Sequence, residues 1–340
     1  MDGTKILEQL ISGRELTHAD AAYLLDQAAG QALDPVQLGA ILVALRMKGE
    51  SADETAALVA AMRRHMLTIE APEVLDVCGT GGDGSGTFNV STTVAFVAAG
   101  AGVKVAKHGN RAASSRSGSA DVLEALGVNV MLSPQQAREV LEAVGMVFLF
   151  APAYHPALKQ VAMVRKALGV RTVFNLLGPF ANPARARRQL VGVPTPEIAE
   201  RLAQVGSRLA YERLLVVASL DGLDELSITT SSVVFDVSGD KVKQYELNPA
   251  EFGFAKAVTS DLAGGDAARN AEITRAILGG EAGPRRDIVV LNAAAALVAA
   301  GKAMDVAAGL ALAAEAIDSG RALSVLDHLI KETKRHAPRA

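Results

Sequence analysis

Five glycines lie between Gly79 and Gly86, a segment that we call the glycine loop and that is flanked by two apolar segments. An apolar run at residues 74–78 comes first, and the polar residues Asn89, Ser91, Thr92 and Thr93 lead into a second apolar segment. Each glycine costs a folded chain about 0.5–1 kcal/mol relative to alanine, so five at one place indicate a backbone requirement. A strand, a glycine-rich turn and a helix N-terminus in this order are typical of a cradle for phosphate. We expect the first turn of that helix to expose the hydroxyls of Ser91, Thr92 and Thr93 to a phosphate or a cation.

The glycine pattern does not identify the phosphate ligand by itself. Gly79, Gly81 and Gly84 match the G-x-G-x-x-G pattern of dinucleotide sites, which also require an acidic residue near the end of the next strand. The next predicted strand, within VKVAKHGN, ends in Lys107 and His108 instead. A P-loop requires Lys and then Ser or Thr after the last glycine, and no glycine here is followed by Lys. The pattern therefore favours a phosphorylated ligand of another kind.

A second polar loop follows that next strand and precedes a predicted helix. Its polar side chains are Lys107, His108, Asn110, Arg111, Ser114, Ser115, Arg116 and Ser119. An acidic pair, Asp224 and Glu225, follows another apolar run, LLVVASL. Because parallel strands end at the same edge of a sheet, where ligands bind, we expect both loops and the acidic pair to meet there. This arrangement predicts a large, highly phosphorylated ligand with a cation beside it.

The rest of the chain predicts a helical start followed by an α/β body. Residues 1–70 carry capped amphipathic patterns, with Thr17, Asp34 and Ser51 as N-caps, and contain no strand signal. From residue 71 to residue 340, short β-branched runs alternate with Ala-rich helical patterns, which indicates an α/β domain with a mostly parallel sheet flanked by helices. The predicted strands are 74–78, 103–106, 147–150, 189–193 and 214–218, with a hairpin at 232–247. A basic helical segment near 157–187 is expected to cross back to the helical domain.

Composition excludes several classes of protein. The net charge of −3 and the pI near 6.1 argue against a general polyanion-binding protein, and we expect no nucleic-acid partner. Cys78 is the single cysteine, which excludes an internal disulfide and fits a reducing compartment. We expect no signal peptide, no membrane span and a cytoplasmic location, because no basic start precedes an apolar core and the apolar runs are short.

Two segments together carry a resemblance to a known family. GTGGDGSGTFNVST and KHGNRAASSRSGSADVLEALG closely resemble the anthranilate phosphoribosyltransferase family. GRELTHADA, ALRMKGES, HPALKQVAMVRKALGVRTVFNLLGP and GLDELS extend the resemblance over nearly the whole chain. The resemblance implies transfer of a phosphoribosyl group from phosphoribosyl pyrophosphate to the amine of anthranilate, with Mg²⁺ as cofactor. It also implies a small helical domain on a larger α/β domain, an active site between them, and a homodimer formed through the helical domain.

The same resemblance assigns roles to individual residues. The implied ligands of the phosphoribosyl donor are Gly79, Gly82, Asp83, Thr87, Asn89, Ser91, Thr92, Lys107 and Ser119. The implied anthranilate site contains Gly79, Asn110 and Arg165, with His108 and His155 lining the pocket. The implied metal ligands are Ser91, Asp224 and Glu225. Arg165 is the expected carboxylate clamp because a planar guanidinium matches a planar carboxylate.

The expected chemistry is leaving-group stabilisation and orientation of the substrates. Breaking the bond to pyrophosphate builds negative charge, which the loop amides, Lys107 and Mg²⁺ are suited to stabilise. The amine of anthranilate needs no prior deprotonation, and the sequence offers no clear general base. Two alternatives stay open: a pyrimidine nucleoside phosphorylase on a related fold, and a nucleic-acid-binding protein on the same scaffold.

Overall fold

The computed structural model describes residues 2–71, 73–112 and 116–337, and it contains a seven-stranded mixed sheet. The strands are β1 Leu75–Gly79, β2 Val105–Gly109, β3 Met146–Phe150, β4 Arg188–Gly192, β5 Arg213–Ser219, β6 Ser232–Ser238 and β7 Lys241–Leu247. Their order is β3-β2-β1-β4-β5-β6-β7, and the pairings from β3 to β5 are all parallel. The two antiparallel strands form the hairpin predicted at residues 232–247.

Helices surround the sheet and also form the whole N-terminal region. They are α1 Gly3–Ile11, α2 His18–Ala29, α3 Pro35–Lys48, α4 Ala52–Arg64, α5 Val90–Gly100, α6 Ser119–Ala125, α7 Pro134–Val144, α8 Ala151–Tyr154, α9 Lys159–Leu168, α10 Phe174–Leu177, α11 Pro196–Arg208, α12 Ala267–Leu278, α13 Pro284–Ala299, α14 Val306–Asp318 and α15 Arg321–Arg335. Thr17, Asp34 and Ser51 cap α2, α3 and α4, as the sequence predicts. No helix in the described ranges is long and apolar enough to cross a membrane.

The second strand differs from its prediction. The apolar pattern predicts a strand at residues 103–106, whereas β2 begins at Val105 and pairs with β3 as far as Gly109 opposite Phe150. Lys107 and His108 therefore lie inside the sheet and are buried, and they do not belong to the polar loop. The apolar pattern predicts that the strand ends where the first polar residues begin. In the structure the strand continues, because these polar residues have buried partners.

Two hydrophobic cores lie on opposite faces of the sheet. Alternate residues of β5 divide between them: Leu215 and Val217 belong to the core that contains α5 and α13, whereas Leu214 and Val216 belong to the other. The second core also contains the buried residues of α1 to α4, α9 and α11. Helix α9 packs against α2 and α3, and α10 packs against α4. The division into a helical domain at 1–70 and an α/β domain at 71–340 stays a prediction.

The order of the strands locates the ligand site. The chain goes from β1 outward to β2 and β3, and then returns to place β4 on the other side of β1. Because α5 after β1 and α11 after β4 lie on opposite faces, the loops that follow these strands diverge and leave a crevice. In open α/β sheets, ligands bind in this crevice, at the carboxyl ends of the strands. The glycine loop follows β1 directly, at this point.

Candidate active site

The structure explains the five glycines by backbone geometry and by one close approach. Four of them adopt positive φ, with values of 69° at Gly81, 78° at Gly82, 71° at Gly84 and 67° at Gly86. Residues other than glycine rarely adopt positive φ. Gly79 meets a different constraint, because a Cβ there would lie 2.4 Å from Oδ2 of Asp224. The loop can therefore turn sharply and still lie against the acidic pair.

The acidic pair contacts backbone amides at the crevice. Oδ2 of Asp224 accepts a hydrogen bond of 2.7 Å from the Gly81 amide, and Oε1 of Glu225 accepts one of 3.0 Å from the Ser91 amide. Ser91 lies in the first turn of α5, where the helix dipole favours an anion. The two carboxylates thus accept hydrogen bonds from amides in a glycine-rich loop and at a helix N-terminus, and both kinds of amide commonly bind phosphate.

Burial makes the acidic pair electrostatically unfavourable in the described structure. Burial and the nearby Asp83 carboxyl raise the pKa of Asp224. Burial and the Asp224 carboxyl raise the pKa of Glu225 well above its usual range, although Lys107 opposes this shift. A cation beside the pair would relieve both effects.

The pair fits a magnesium ion that also binds phosphate. Among the described residues, no group of three or more His, Cys, Asp or Glu side chains is placed to hold a metal ion by itself. Mg²⁺ commonly binds one or two protein carboxylates and completes its shell with waters and substrate phosphates. Two adjacent carboxylates beside amides suited to phosphate match that requirement.

Lys107 lies under the acidic pair as a buried cation. Its side chain is 1 % exposed, and its Nζ donates to the Val77 carbonyl and, at 3.3 Å, to Oγ of Ser91. The fully buried Asp76 in β1 lies in the same region, where it accepts hydrogen bonds from the His108 amide and from Gln189. Burial raises the pKa of Asp76 to about 6, and Lys107 opposes that rise. The charge of Lys107 is thus held at the centre of the site and has little room to move.

The first turn of α5 differs from its prediction. The sequence predicts three exposed hydroxyls there, but Thr92 and Thr93 are buried and only Ser91 is half-buried. Oγ1 of Thr93 donates to the Asn89 carbonyl, which is a local helix contact. Oγ1 of Thr92 has no hydrogen-bond partner within the described part of the chain. The apolar packing of α5 against α13 and α15 buries this face of the turn.

The second polar loop is partly committed to structural contacts. Arg111 pairs with Asp121 and Glu124, and its guanidinium lies 5.3 Å from the ring centroid of Phe150. Ser114 and Ser115 lie outside the described residues. The Asn110 carbonyl accepts a hydrogen bond of 3.2 Å from Oγ of Ser119, which closes the loop on itself. The side chain of Asn110 is left at the exposed mouth of the loop.

The remaining donor-site candidates hold the glycine loop and its neighbours together. Asp83 accepts from Ser85, and the half-buried Thr87 forms an isolated bridge with Ala263. Nδ2 of Asn89 donates to the Ser117 carbonyl at 3.1 Å, and so joins the two polar loops. These side chains lie close to the crevice, but their present partners are within the protein.

Two imidazoles lie close together, His108 in β2 and His155 just after α8. The ring centroids of His108 and His155 lie 5.3 Å apart. Burial lowers the pKa of His108 to about 3, and burial also lowers the pKa of His155. Within the described ranges, Nε2 of His108 and Nδ1 of His155 have no hydrogen-bond partner. Both rings are therefore neutral near pH 7, and each leaves one nitrogen free for a ligand or water.

Arg165, on α9, is a half-buried cation without a carboxylate partner in the described structure. Its Nη2 lies 3.4 Å from Oδ1 of Asn175, and its guanidinium lies 5.7 Å from the ring centroid of Phe174. Burial lowers its pKa from the ordinary value. A partly desolvated guanidinium with one weak hydrogen bond is well suited to bind an anion.

Three residues with structural roles at this site escape sequence reading. Asp221 accepts hydrogen bonds from Ser227 and Thr229 and shapes the loop that carries the acidic pair. Asn292 is fully buried in the apolar α13 and bonds both the N–H and the C=O of Leu226, next to Glu225. Arg171, between α9 and α10, donates hydrogen bonds to carbonyls of the glycine loop. Only Asn292 leaves a signal in the sequence, as the one polar residue in IVVLNAAAALVAA.

Comparison with known proteins gives consistent results over the whole chain. Residues 71–323 match the family described as glycosyl transferase family, a/b domain, and residues 4–66 match its helical bundle domain. The anthranilate phosphoribosyltransferase of Geobacter sulfurreducens is 47 % identical, over 97 % of this chain and 99 % of the relative.

Solved structures agree with that similarity. The crystal structure of anthranilate phosphoribosyltransferase from Thermus thermophilus aligns with a TM-score of 0.90 and 42 % identity, over 97 % of this chain and 99 % of that one. The Saccharomyces cerevisiae enzyme, in complex with PRPP and Mg, aligns with a TM-score of 0.87 and 29 % identity, over 98 % of each chain.

Proposed function

The chain belongs to the anthranilate phosphoribosyltransferases, and we propose that the site described above carries out their reaction through the residues named below. In this reaction the phosphoribosyl group of 5-phosphoribosyl 1-pyrophosphate passes to the amine of anthranilate, within tryptophan biosynthesis. The products are N-(5-phosphoribosyl)anthranilate and pyrophosphate. The observation that supports the proposal most strongly is the juxtaposition of the glycine loop, the buried acidic pair and Lys107 at one sheet edge.

The donor binds along the glycine loop and the first turn of α5. The amides of Gly81 and Ser91 exchange their carboxylate partners for pyrophosphate oxygens, which are also negatively charged acceptors. Gly79, Gly82, Asp83, Thr87, Asn89, Thr92 and Ser119 complete the donor site in this proposal. Lys107 adds a buried positive charge that stabilises the departing pyrophosphate.

Asp224, Glu225 and Ser91 hold the Mg²⁺ ion in this proposal. When bound, Mg²⁺ neutralises charge on the pyrophosphate and so makes it a better leaving group. The acidic pair supplies two hard oxygen ligands, and Asn292 fixes the peptide that follows Glu225. Burial raises the pKa of both carboxyls, and a bound cation would favour their ionised forms.

Anthranilate binds on the opposite side, between Arg165 and the two imidazoles. The Arg165 guanidinium holds the carboxylate, and Asn110 and Gly79 complete the anthranilate site in this proposal. His108 and His155 line the pocket as neutral rings, because burial lowers the pKa of both. A base with a pKa of about 3 accepts a proton poorly at neutral pH, so the proposal assigns no general base. In this proposal, orientation of the amine toward the ribose carbon lowers the activation barrier on the acceptor side.

The helical region also supports a homodimer as part of the proposal. Helix α3 is apolar on almost every side, and it leaves a stripe of Val36, Ala40, Val43, Ala44 and Met47 incompletely covered. Val36 is 82 % exposed and Met47 is 83 % exposed. An apolar stripe at helical spacing that the same chain does not cover is typical of an interface. Light scattering on wild type and on the Val36→Glu, Met47→Glu variant tests this: a dimer should become a monomer, and two equal masses would remove α3 from the interface.

Loss of anthranilate fluorescence tests the reaction itself. We expect the signal to fall only when protein, phosphoribosyl pyrophosphate and Mg²⁺ are all present, and to stay constant with EDTA. Phosphorolysis of uridine or thymidine in place of anthranilate consumption would favour a pyrimidine nucleoside phosphorylase. Salt-sensitive retention of single-stranded DNA on a filter, without turnover, would favour a nucleic-acid-binding protein. The single cysteine supports a cytoplasmic location for the enzyme, which remains part of the proposal.

A further inference from the structure

Arg171 forms a side-chain bridge from the segment between α9 and α10 to the glycine loop. Its Nη2 donates to the Gly82 carbonyl at 3.0 Å and is 3.3 Å from the Gly81 carbonyl. The contact is close enough that a Cβ on Gly82 would lie 2.0 Å from this nitrogen. Both carbonyls belong to the positive-φ part of the loop, which glycine leaves with the most conformational freedom.

The backbone around Arg171 is tied to the opposite side of the site. Its carbonyl accepts a hydrogen bond of 2.7 Å from Nη1 of Arg46, on α3. The amide of Thr172 donates to Oδ1 of Asn175 at 3.0 Å, and the same oxygen accepts from Nη2 of Arg165. One short segment thus contacts the proposed anthranilate clamp through Asn175 and the proposed donor loop through Arg171.

Arg171 has no competing ion pair in the described part of the chain. Its guanidinium has no carboxylate oxygen within 4.0 Å there, unlike Arg201 and Arg208, which pair with Glu50 and Asp53. A cation that donates to two loop carbonyls, and is not neutralised by an acid, is also attracted to a polyphosphate bound on that loop. Arg171 is therefore placed to reinforce the loop more strongly once the donor is bound.

We propose that Arg171 is a positioning residue that couples the two substrate sites, so that donor in the glycine loop strengthens anthranilate binding and the reverse. This inference rests on the proposed function and adds a specific path between its two sites. The physical basis is a shared element: a ligand on either side orders the segment between α9 and α10, and the second ligand then loses less conformational entropy on binding. By thermodynamic linkage, each ligand must change the affinity of the other by the same factor.

Calorimetric titration of anthranilate, with and without Mg²⁺ and pyrophosphate, measures this factor without turnover. We expect pyrophosphate to tighten anthranilate binding to wild type by about fivefold or more, the lower end of usual coupling strengths. In Arg171→Met, which keeps a flexible, unbranched side chain but is shorter and has no donors, the factor should fall to about one. Anthranilate affinity without pyrophosphate should stay within twofold of wild type. Arg171→Lys, which keeps the charge but not the fork, should restore part of the factor.

Arg138→Met, on the remote helix α7, is the matched control and should keep the wild-type factor. An unchanged factor in Arg171→Met, or no factor in wild type, would overturn the inference. So would a large loss of anthranilate affinity in Arg171→Met without pyrophosphate, because Arg171 would then be a direct ligand. Failure of the proposed function is a separate result, in which wild type itself does not bind anthranilate under any of these conditions.

Discussion

The site has a donor side, formed by the glycine loop, the acidic pair and Lys107, and an acceptor side, formed by Arg165, His108 and His155. The two sides differ in how far their polar groups are already paired. On the donor side nearly every polar group already has a protein partner: Asp224 with Gly81, Glu225 with Ser91, and Lys107 with Ser91. On the acceptor side, Arg165 has one weak contact, and a nitrogen of each of His108 and His155 has no partner in the described residues. The donor side must therefore exchange partners when it binds, whereas the acceptor side offers groups that are already desolvated.

This difference assigns the cation to one side only. When they are ionised, the two buried carboxyls oppose the approach of pyrophosphate unless a cation accompanies it, and a cation also favours their ionised forms. The neutral imidazoles and the guanidinium of the acceptor side need no such help with a monoanionic carboxylate. The comparison thus predicts separable effects for substitutions on the two sides.

The largest effect is expected from the acidic pair. In Asp224→Asn with Glu225→Gln, two charges leave the proposed cation shell, so the variant should stay folded, lose most of its turnover and require much higher Mg²⁺ to recover any. Rate against Mg²⁺ at saturating donor is the measurement. Glu139→Gln with Glu142→Gln, two exposed acids on α7, is the control and should change stability by less than about 0.5 kcal/mol. A normal rate with an unshifted Mg²⁺ curve would mean that the metal is held elsewhere, as by Ser91 and pyrophosphate alone.

Removal of the anthranilate clamp should produce the next largest effect. Arg165→Ala removes a charge-assisted contact of roughly 1.5–3 kcal/mol, which corresponds to about 10- to 150-fold weaker anthranilate binding. The KM for the donor should change little, because Arg165 does not contact the glycine loop in the described structure. Lys166→Ala, at the exposed neighbouring position, serves as the control. If Arg165→Ala weakened the binding of both substrates equally, Arg165 would not be the specific ligand of the anthranilate carboxylate.

A substitution in the glycine loop tests the donor side. Gly81→Val places a β-branched residue at a φ of 69°, where no neighbouring atom would clash with its Cβ. The left-handed conformation costs about 2 kcal/mol, so the free variant loop should relax out of it, and binding must then restore it. Donor affinity should fall by up to about 30-fold while anthranilate affinity is retained. Gly13→Val carries similar strain, at a φ of 76° in the helical region, and should leave donor binding intact. If calorimetry gives wild-type donor affinity for a folded Gly81→Val variant, the loop is merely a turn.

The smallest effect concerns stability against acid and reports on the acceptor side. The folded protein keeps His108 neutral down to a pKa of about 3, whereas an unfolded chain binds that proton below about 6.5. Stability is therefore lost as pH falls through 6.5, by about 1 kcal/mol between pH 7 and pH 5.5 for this group. Denaturant titration at both values should show a smaller acid loss in His108→Gln than in wild type. An equal loss in both proteins would mean that His108 is not buried as a neutral ring.

Sequence reading succeeded where local pattern and close family motifs carry the information. The alternation of short apolar runs with helical patterns predicted the α/β class, and the capped helices before residue 71 predicted the helical start; both are confirmed. The conformation of the glycine loop could be predicted because positive φ strongly favours glycine over other residues.

Sequence reading failed where long-range contacts decide the structure. Lys107 and His108 appeared to belong to a loop, but Asp76 and Ser91, which are distant in the chain, give them buried partners inside β2. Thr92 and Thr93 appeared exposed, but packing around α5 buries them. Arg171 looked like an ordinary charge on a basic segment, and only the folded chain brings it to Gly81 and Gly82. The role of each proposed site residue remains a prediction.

In the proposed mechanism the cation serves the donor side alone, and calorimetry on the unmodified protein can measure whether it does. Phosphoribosyl pyrophosphate and anthranilate are each titrated separately, with Mg²⁺ and again with EDTA, so that no turnover occurs. We predict that donor affinity falls at least tenfold without Mg²⁺, whereas anthranilate affinity stays within twofold. Donor affinity that does not depend on Mg²⁺, or an equal loss for both ligands, would mean that the cation does not belong to the donor side alone.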